Sequence, residues 1–565
     1  MFIISNNNFI TFEYICYNEL GDFMKTLLIS INAKYIHTNN AVRLLKANCN
    51  FDVDILEYTI KDSIDDIIKD IHTFKPDILG FSAYIWNINI ITEIIDNLSL
   101  DGSKIVVGGP EVSYESMYFM NIHNIDYIVK GEGEIAFNIL LDTLKNDKEI
   151  SSVPNLTYRK NGKLYSNPIQ EIEDLNQLNL PYYFNEDIKH IPNKISYIES
   201  SRGCPYKCSY CLSSLEKTVR FFETAKVKEA ILYLIRSGAK TIKFLDRTFN
   251  ANRNTLDLLD FIITNNNNIT VFQFEITGDI LDSHIINYLN DNAPKGLFRF
   301  EIGIQSVNYE TNTLVDRHQD NEKLFHNIKL IQEKGVIDLH LDLIAGLPKE
   351  DLNSFKNTFD TVFKLGAKEL QLGFLKMLRG TKIRVEAGKY GYEYDAKAPY
   401  EIIKNNSLCE NDIEQIHIVE HMLEIHHNKG YFRNGMLELL LKQDSVFDYL
   451  LKIGTHYVEN GFKFHRFQIE DVYKRVFPLL NQDELYFIKQ DYLCRSKIKP
   501  KLIFPVVKDK ETRTHLFTHI EKQYSIERNV LYKNSVILEH TDEYFVIVYL
   551  QNKKSTFKIK KEDIN

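Results

Sequence analysis

The sequence predicts an α/β protein with three parts: a doubly wound parallel sheet, a partial (β/α)6 barrel and a mixed α+β domain. In the first two parts, short apolar runs alternate with amphipathic stretches at helical spacing, which is the pattern of repeated βα units. In the last part, a helical stretch precedes β-rich runs. The length of 565 residues is enough for three or four domains of about 150 residues each.

The first part runs from Met24 to about residue 150 and contains five strand-like apolar runs. Helical stretches separate them, and in Ser63–Phe74 the isoleucines recur at helical spacing. This alternation predicts a flavodoxin-like or Rossmann-like sheet, in which ligands bind at the carboxyl ends of the strands. The predicted strands are 26–31, 53–58, 78–82, 105–107 and 127–129.

Four loops that follow these strands carry glycines and polar side chains. Glycines let a backbone approach a large flat ligand closely, and helix N-termini offer free N–H groups to its polar edges. One such loop is weak evidence, but four on one edge of a sheet indicate a binding site; a flavodoxin-like domain with ordinary turns is the alternative. The candidate residues are Asn32, His37, Ser82, Trp86, Gly108, Gly109, Glu111, Gly131, Glu132 and Gly133.

The second part has six strand-like runs separated by helical stretches, which predicts an open, partial barrel. Several runs alternate polar and apolar residues, as Arg299, Glu301 and Gln305 do. In a barrel wrapped by helices the apolar set faces the helices, so the polar set faces the lumen. Closed eight-stranded barrels fill the lumen with branched aliphatic side chains. Because the lumen here is lined by polar side chains instead, we predict that it holds a polar ligand. A solvated antiparallel sheet is the alternative, against which the helical stretches argue.

Three cysteines stand in one short loop after the first barrel strand, Cys204, Cys208 and Cys211, with the spacing C-x3-C-x2-C. Their thiolates can ligate three corners of one iron–sulfur cube. A fully protein-held cluster needs a fourth thiolate, often from the same run, and the next cysteine is Cys409. The fourth iron would therefore keep an open site. A structural zinc completed by His190 is the alternative, while seven cysteines in 565 residues are too few for a disulfide scaffold.

This loop resembles the signature of the radical S-adenosylmethionine (SAM) enzymes. The first part of the chain resembles the cobalamin-binding domain that precedes the radical core in the cobalamin-dependent members, the class B methyltransferase-like proteins. The resemblance implies a [4Fe–4S] cluster on the three cysteines, SAM on its open iron, and cobalamin in the N-terminal domain. It also implies SAM contacts in the cysteine loop and at the strand ends, by Tyr210, Asp246, Glu301, Gln305, Ser306 and Ile344.

Two positions depart from the patterns of these families. The second barrel strand ends on Asp246-Arg247-Thr248, where the family has a Gly-Gly-Glu-like contact to the amine of SAM. His37 stands where cobalamin mutases carry the lower cobalt ligand in Asp-x-His-x-x-Gly, but its loop lacks the Asp and the Gly. Because a ligating imidazole is normally oriented by a neighbouring acceptor, we expect His37 to be a pocket or surface residue, with cobalt ligation as the alternative.

The resemblance implies that SAM is cleaved reductively to methionine and a 5′-deoxyadenosyl radical, which abstracts hydrogen from a substrate in the lumen. With cobalamin as methyl carrier, methylation of an unactivated carbon or phosphorus is the expected reaction. The alternatives are a rearrangement or cyclisation without methyl transfer, and a non-catalytic cluster or cobalamin sensor. A methylthiotransferase needs three further N-terminal cysteines, and only Cys16 and Cys49 precede Cys204.

Composition limits the partners that we expect. A net charge of −9 and a pI near 6.1 argue against a nucleic-acid partner or an anionic membrane surface. No uninterrupted apolar run reaches the length of about 18 residues that a membrane helix needs. We therefore expect a cytoplasmic protein. The family resemblance, with its exposed cluster, implies an anaerobic setting, an electron donor such as flavodoxin or ferredoxin, and a small molecule or peptide of unknown identity as substrate.

The predicted domains follow from these patterns. Residues 1–23 are an extension without the basic region of a signal peptide, and 24–150 form the cobalamin-binding domain. A linker with several prolines and a small hairpin at Asn161-Gly162 occupies 151–193, and the radical SAM core occupies 194–384. Residues 385–565 resemble the uncharacterised DUF4080-like domain of one subgroup, which we expect to shape the substrate cavity.

Overall fold

The structure is a computed structural model that describes residues 24–432, 435–551 and 553–564. The predicted extension at 1–23 lies outside the described residues. The chain divides into two compact units, Met1–Ala33 with Ala41–Gln170, and Lys34–Asn40 with Glu171–Asn565. The short segment Lys34–Asn40 therefore belongs to the second unit although its neighbours in sequence belong to the first.

The first unit is built on one sheet with the strand order β2-β1-β3-β4-β5-β6-β7, in which β1 to β5 are parallel. The order reverses at β1, and right-handed crossovers then place helices on both faces. This confirms the predicted doubly wound sheet. Its strands are β1 Thr26–Asn32, β2 Val53–Thr59, β3 Ile78–Ser82, β4 Lys104–Gly108, β5 Tyr127–Val129, β6 Leu156–Lys160 and β7 Lys163–Ser166. Its helices are α1 Asn40–Ala47, α2 Ile64–Phe74, α3 Ile88–Asn97, α4 Pro110–Ser113, α5 Ser116–Ile122 and α6 Glu134–Lys145.

The hairpin predicted at Asn161-Gly162 is formed by β6 and β7, and it extends this sheet. β6 pairs antiparallel with β5. Leu156 and Tyr158 are buried and pack in one apolar cluster with Val129 of β5, so burial of these side chains stabilises the added strands. The sheet thus continues past residue 150 into the segment predicted as linker, while the other predicted domain boundaries stay predictions.

The second unit contains a six-stranded parallel sheet with the order β15-β14-β13-β12-β11-β8. β8 and β15 form its two edges, which makes it the open, partial barrel that the sequence predicts. Its strands are β8 Ser196–Ile198, β11 Thr241–Phe244, β12 Val271–Ile276, β13 Phe298–Gln305, β14 Asp338–Ala345 and β15 Glu369–Phe374, with the two-residue strands β9 Ser201–Arg202 and β10 Arg220–Phe221 beside them. Its helices are α7 Thr224–Arg236, α8 Thr255–Thr264, α9 Ser283–Asn292, α10 Tyr309–Leu314, α11 Asn321–Gln332 and α12 Leu352–Phe363.

The barrel strands alternate as predicted. In β13 and β14 every second side chain is buried and the residues between them are partly exposed. The buried set includes Phe298 and Phe300, which pack with Phe274 of β12. Because these rings fill the layer between sheet and helices, the polar residues that alternate with them line the lumen.

The residues after the barrel form a mixed domain with its own small sheet, which confirms the predicted α+β class. β18, β19 and β20 are antiparallel and pack on α19 and α20 through a separate apolar cluster. The strands are β16 Glu393–Tyr394, β17 Ile402–Lys404, β18 Ser535–Glu539, β19 Glu543–Leu550 and β20 Lys553–Lys560. The helices are α13 Lys382–Val385, α14 Glu410–Leu423, α15 Gly435–Leu441, α16 Val446–Glu459, α17 Ile469–Val476, α18 Gln482–Arg495, α19 Lys510–Tyr524 and α20 Arg528–Asn534. Within the described residues, no helix is both long and apolar enough to cross a bilayer.

Candidate functional site

The three cysteines lie in the loop that follows the first barrel strand. Cys208 is buried, Cys204 and Cys211 are partly exposed, and each is a free thiol. Gly203 begins the loop with a φ of 93°, and a Cβ there would lie 2.2 Å from the carbonyl oxygen of Thr218. A glycine is therefore required directly before the first cysteine.

The donor set of this loop fits an iron–sulfur cluster. Three free thiols within eight residues match the thiolate ligation that such clusters use. In the part of the chain that the structure describes, no three His, Cys, Asp or Glu side chains are already gathered as a metal site. The sulfur atoms would therefore converge when a cluster binds, as metal ligands commonly do.

The loop is anchored at its centre by Ser209. Its backbone N–H donates to the carbonyl of Val315 at 2.8 Å, and its carbonyl accepts from the N–H of Ile383 at 3.0 Å. Val315 follows α10 and Ile383 lies in α13, so two separate segments position the residue between Cys208 and Tyr210.

Asp246 anchors the strand that leads into the loop. It is buried, and its carboxylate accepts from the backbone N–H of Ser200 at 2.9 Å and from the hydroxyls of Ser200 at 2.5 Å and Ser201 at 2.6 Å. Burial raises its pKa to about 6, against the lowering effect of these hydrogen bonds. This geometry favours a positioning role for Asp246, and its contact with the amine of SAM stays a prediction.

The predicted SAM residues at the end of β13 lie around a bulge. Gln305 has a φ of 69° where the register with β14 shifts. Its Oε1 is buried and, among the described residues, has no hydrogen-bond partner. An orphaned buried acceptor at the mouth of the barrel fits a ligand with a donor group. Ile344 of β14 is partly exposed on the lumen side, whereas Ser306 is fully buried and hydrogen-bonds Glu350.

Arg317, which the sequence analysis missed, joins this bulge to the cysteine loop. Its guanidinium donates to the hydroxyl of Tyr210 at 3.4 Å, lies 3.9 Å from the sulfur of Cys208, and hydrogen-bonds the carbonyl of Gly303. Gln319 accepts from it at 2.8 Å. A cation at this point can offset the negative charge of a cluster thiolate and of a carboxylate ligand. The sequence signal was weak, because one arginine in a loop has no periodic pattern.

Charged side chains pair across the barrel lumen. Lys243 donates to Glu301 at 2.6 Å and lies 3.5 Å from Glu275. Arg299 donates to Glu369 at 2.8 Å. Glu301, a predicted SAM residue, is therefore part of this network.

His340 completes the network beside Asp342, with Nε2 3.0 Å from a carboxylate oxygen. Burial alone would lower the pKa of His340, but the hydrogen bond and charge of Asp342 outweigh it and raise the pKa. The lumen therefore presents alternating positive and negative groups.

Glu350 connects the loops that follow β13 and β14. Its Oε1 accepts from the hydroxyls of Ser306 at 2.5 Å and Thr358 at 2.7 Å, and its Oε2 is buried and, among the described residues, has no partner. Burial raises the pKa of Glu350 to about 7, with a smaller contribution from the charge of Asp351.

We expect Glu350→Gln to stabilise the protein at high pH and to have little effect at low pH. Because the folded pKa of about 7 exceeds the usual 4.5, the folded state holds the proton more tightly. Stability therefore falls as pH rises between these values, by about 3 kcal/mol in full. Glutamine keeps the oxygen that the hydroxyls of Ser306 and Thr358 use, and has no charge to bury.

The measurement is the melting temperature of both proteins at about pH 5 and about pH 8. The gain of the variant over wild type should grow as the pH rises. Glu333→Gln, at an exposed position, is the matched control and should give a pH-independent difference. Equal gains at both pH values for Glu350→Gln would contradict the assigned burial of the charge.

The four candidate loops follow β1, β3, β4 and β5 of the first unit, and the loop after β1 passes into the second unit at Lys34. These strands are parallel neighbours, so the loops lie along one edge of the sheet, as predicted. Gly109 has a φ of 113°, and a Cβ there would lie 2.3 Å from the carbonyl oxygen of Ala83. Gly131 also has a positive φ, of 63°. At Gly109 backbone approaches backbone closely, and a side chain is excluded there.

Asn87, a second residue that the sequence analysis missed, ties this edge together. It is fully buried, and its Nδ2 donates to the carbonyls of Ile31 at 2.9 Å and Ser82 at 3.0 Å. Trp86 beside it is 44% exposed, donates from Nε1 to the carbonyl of Ile31 at 3.2 Å, and stacks on Tyr84 with ring centroids 4.4 Å apart. The edge thus presents a flat aromatic surface to solvent.

The other candidates at this edge have different surroundings. Asn32 is buried and donates to Glu57 at 3.3 Å, the carboxylate that also forms a bidentate pair with Arg43. Glu111 is buried, and Glu132 is half-buried. Gly108 and Gly133 lie at the end of β4 and directly before α6. Asn32 is thus held inside the protein, and the glycines and Trp86 form the accessible part of the edge.

His37 lies in the segment Lys34–Asn40, which belongs to the second unit. Its Nδ1 is 2.7 Å from the hydroxyl of Tyr197 in β8, and the N–H of Ile195 donates to the carbonyl of Ile36 at 2.7 Å. Burial, and then the charges of Lys34 and Lys243, lower the pKa of His37. The imidazole is engaged with the barrel, which favours the pocket role over cobalt ligation.

Family models match three stretches of the chain. The Radical SAM superfamily matches residues 198–362, the B12 binding domain matches 27–141, and DUF4080, a family of unknown function, matches 388–563. The chain is a radical SAM protein with a B12-binding domain. This confirms the predicted family, and it confirms the cofactor set of [4Fe–4S] cluster, SAM and cobalamin at the level of these domain families.

Individual relatives of this radical SAM protein are methyltransferases by name. An uncharacterized methyltransferase of Pyrococcus horikoshii is 25% identical over 417 residues, covering 71% of this chain and 84% of the relative. The cobalamin-dependent radical SAM methyltransferase TokK of Streptomyces tokunonensis is 23% identical over 431 residues, which are 66% of this chain and 60% of TokK.

Two solved structures share the fold of this radical SAM protein. The radical SAM methyltransferase TsrM from Kitasatospora setae, with cobalamin and a [4Fe–4S] cluster bound, aligns with a TM-score of 0.56 at 17% identity, covering 69% of this chain and 81% of TsrM. The cobalamin-dependent SAM radical enzyme OxsB, with aqua-cobalamin and SAM bound, aligns with a TM-score of 0.57 at 15% identity, covering 83% of this chain and 79% of OxsB.

Proposed function

We propose that this radical SAM enzyme is a cobalamin-dependent methyltransferase that acts on a polar small molecule or peptide. When bound, the cluster and SAM supply hydrogen abstraction, and the cobalamin supplies a methyl group. The single observation that supports this proposal most is the combination in one chain of a free three-cysteine loop at the mouth of a polar barrel and a B12-binding domain. The methyltransferase names of the relatives agree with it.

The residues of the chain have distinct roles in this proposal. Cys204, Cys208 and Cys211 hold the cluster, and Arg317 and Gln305 offer a cation and a free acceptor beside it. Asp246 and Ser209 position the loop. An electron donor such as flavodoxin or ferredoxin, in a cytoplasmic and anaerobic setting, completes the proposed system.

The lumen favours a polar substrate. Lys243, Arg299 and Glu301 are paired, yet each side chain keeps between 16% and 24% of its surface exposed. An apolar substrate would remove these charges from water without giving them new hydrogen-bond partners, which costs free energy. A substrate with its own donors and acceptors can form hydrogen bonds with these side chains. We therefore expect the substrate to carry hydroxyl, amide or charged groups near its reacting atom.

The test is anaerobic reconstitution with iron, sulfide and cobalamin, followed by reduction and chromatography of the products of SAM. A methyltransferase with its substrate produces both S-adenosylhomocysteine and 5′-deoxyadenosine. Formation of 5′-deoxyadenosine alone would favour a rearrangement or cyclisation. Formation of neither product, with cluster and cobalamin both bound, would favour a sensor and contradict the proposal.

We expect cobalamin to quench the fluorescence of Trp86 in a saturable manner. Trp86 is the one tryptophan in the sequence, and its exposed ring lies at the proposed binding edge. The measurement is a fluorescence titration, with free N-acetyltryptophanamide correcting for light absorbed by cobalamin. Gly109→Ala should weaken binding about tenfold or more, because its Cβ would meet the carbonyl of Ala83 at 2.3 Å. Quenching that matches the free tryptophan derivative would contradict a site at this edge.

A further inference from the structure

The start of the C-terminal domain packs against the loop that follows β14. Gly346 in this loop has a φ of 95°, and a Cβ there would lie 1.9 Å from the Cδ1 of Ile402. Its carbonyl accepts from the hydroxyl of Tyr392 at 2.9 Å and from the Nδ2 of Asn405 at 3.0 Å. Tyr392 and Ile402 are buried. Residues 392–405, which we call the clamp, thus hold one backbone carbonyl by two side-chain donors.

The clamp also continues the barrel sheet at its open edge. The N–H of Ile402 donates to the carbonyl of Leu375 at 3.2 Å, and the N–H of Met377 donates to the carbonyl of Tyr400 at 2.9 Å. Lys376 and Glu401 form an antiparallel bridge between these two bonds. The clamp is therefore an added antiparallel segment directly after β15, at the end of the barrel where the cysteine loop lies.

Two arginines extend these contacts from the clamp toward the cysteines. Arg379 donates to the hydroxyl of Tyr400 at 2.9 Å, and the guanidinium of Arg384 lies 4.9 Å from the centre of the Tyr400 ring. Between them, Ile383 donates its N–H to the carbonyl of Ser209 in the cysteine loop. Tyr400 is buried, so these contacts form in a desolvated setting where they are strong.

We infer that the DUF4080 domain begins with a positioning element, the clamp, that holds the turn 344–348 in the geometry that binds SAM. Tyr392 and Asn405 are its positioning residues, and the ligand it serves is the adenosyl part of SAM. The clamp lies inside residues 388–563, the stretch that matches the family of unknown function. The inference rests on the proposed function in one respect, since it takes the turn 344–348 as part of the SAM site.

The variants Tyr392→Phe and Asn405→Asp remove these donors, and the aspartate also places a carboxylate oxygen against the carbonyl of Gly346. Phenylalanine keeps the buried ring, and aspartate keeps the Oδ1 that accepts from the N–H groups of Ser407 at 2.7 Å and Leu408 at 2.8 Å. The local fold of the clamp is thereby preserved. Tyr390→Phe, two residues before the clamp, is the matched control.

The first measurement is amide hydrogen exchange of the protein without cofactors. Peptides covering 343–350 should exchange faster in the double variant, while peptides of β18 to β20 should be unchanged. The second measurement is SAM binding to the cluster-loaded protein. We expect the Kd to rise about fivefold for each variant and about 25-fold for the double variant, with iron content and the rate at saturating SAM unchanged. The control should match wild type in both measurements.

Unchanged exchange at the turn in the double variant would overturn the inference. Faster exchange without a loss of SAM affinity would also overturn it, because the clamp would then serve stability alone. A wild-type protein that binds SAM but never cleaves it would refute the proposed function. The exchange and affinity measurements would still decide the role of the clamp in that case.

Discussion

Replacing Cys208 by alanine is expected to abolish cluster binding. Cys208 is the buried member of the three thiols, and a cluster held by two thiolates in one short loop lacks the ligand set of such centres. After anaerobic reconstitution, bound iron and sulfide should fall below about a tenth of the wild-type content, and SAM cleavage should be lost. The apoprotein should remain folded, because loss of one buried sulfur costs about 1–2 kcal/mol.

Cys409→Ser is the control for this experiment. Cys409 is exposed and caps the N-terminus of α14, a role that a serine hydroxyl performs well. This variant should retain full iron content. An unchanged cluster spectrum in Cys208→Ala, or an equal loss in the control, would refute the ligand assignment.

Replacing Arg317 by methionine is expected to lower the rate of SAM cleavage about 100-fold or more, with a weaker Kd for SAM. One guanidinium contacts the sulfur of Cys208, the hydroxyl of Tyr210 and the carbonyl of Gly303. Its removal leaves these groups without their charged donor, and a hydrogen bond to a charged group contributes about 1.5–3 kcal/mol. SAM affinity and 5′-deoxyadenosine formation are to be measured on protein matched for iron content.

Lysine at this position distinguishes charge from shape. A single ammonium cannot reproduce the planar fork of the guanidinium, so Arg317→Lys should recover only part of the activity. Arg236→Met, on the exposed end of α7, is the matched surface control and should behave as wild type. Full activity in Arg317→Lys would show that charge alone is sufficient, and full activity in Arg317→Met would remove Arg317 from the site.

The fold was predictable from the sequence wherever a short-range repeat of apolar residues specified a strand or a helix. In β13 the spacing of Phe298, Phe300 and Ile302 by two residues predicted both the strand and its buried face, and the structure confirms them. The hairpin of β6 and β7 was predicted from Asn161-Gly162, but its attachment to β5 was not. That attachment depends on burial of Leu156 and Tyr158 against residues far away in sequence, which a local pattern does not contain.

The residues of the candidate site also divide into those that the sequence predicted and those that only the structure revealed. The cysteine spacing and the glycine loops were visible because their residues are close in sequence. The hydrogen bond between Asp246 and Ser200 was not visible in the sequence. The two residues are 46 positions apart, and they meet only because β11 pairs with β8. The engagement of His37 with Tyr197 spans 160 residues, and it favours the pocket role that the sequence analysis already preferred over cobalt ligation.

The sequence by itself determined the βα alternation, the polar lumen and the three-cysteine loop, because periodicity and spacing are local properties of a chain. Only the tertiary structure decided that Arg317 lies beside Cys208, at a separation of 109 residues. It likewise decided that Tyr392 and Asn405 hold the carbonyl of Gly346. The physical reason is that these contacts form between strand ends and loops that come together only when the parallel sheet closes and its helices pack.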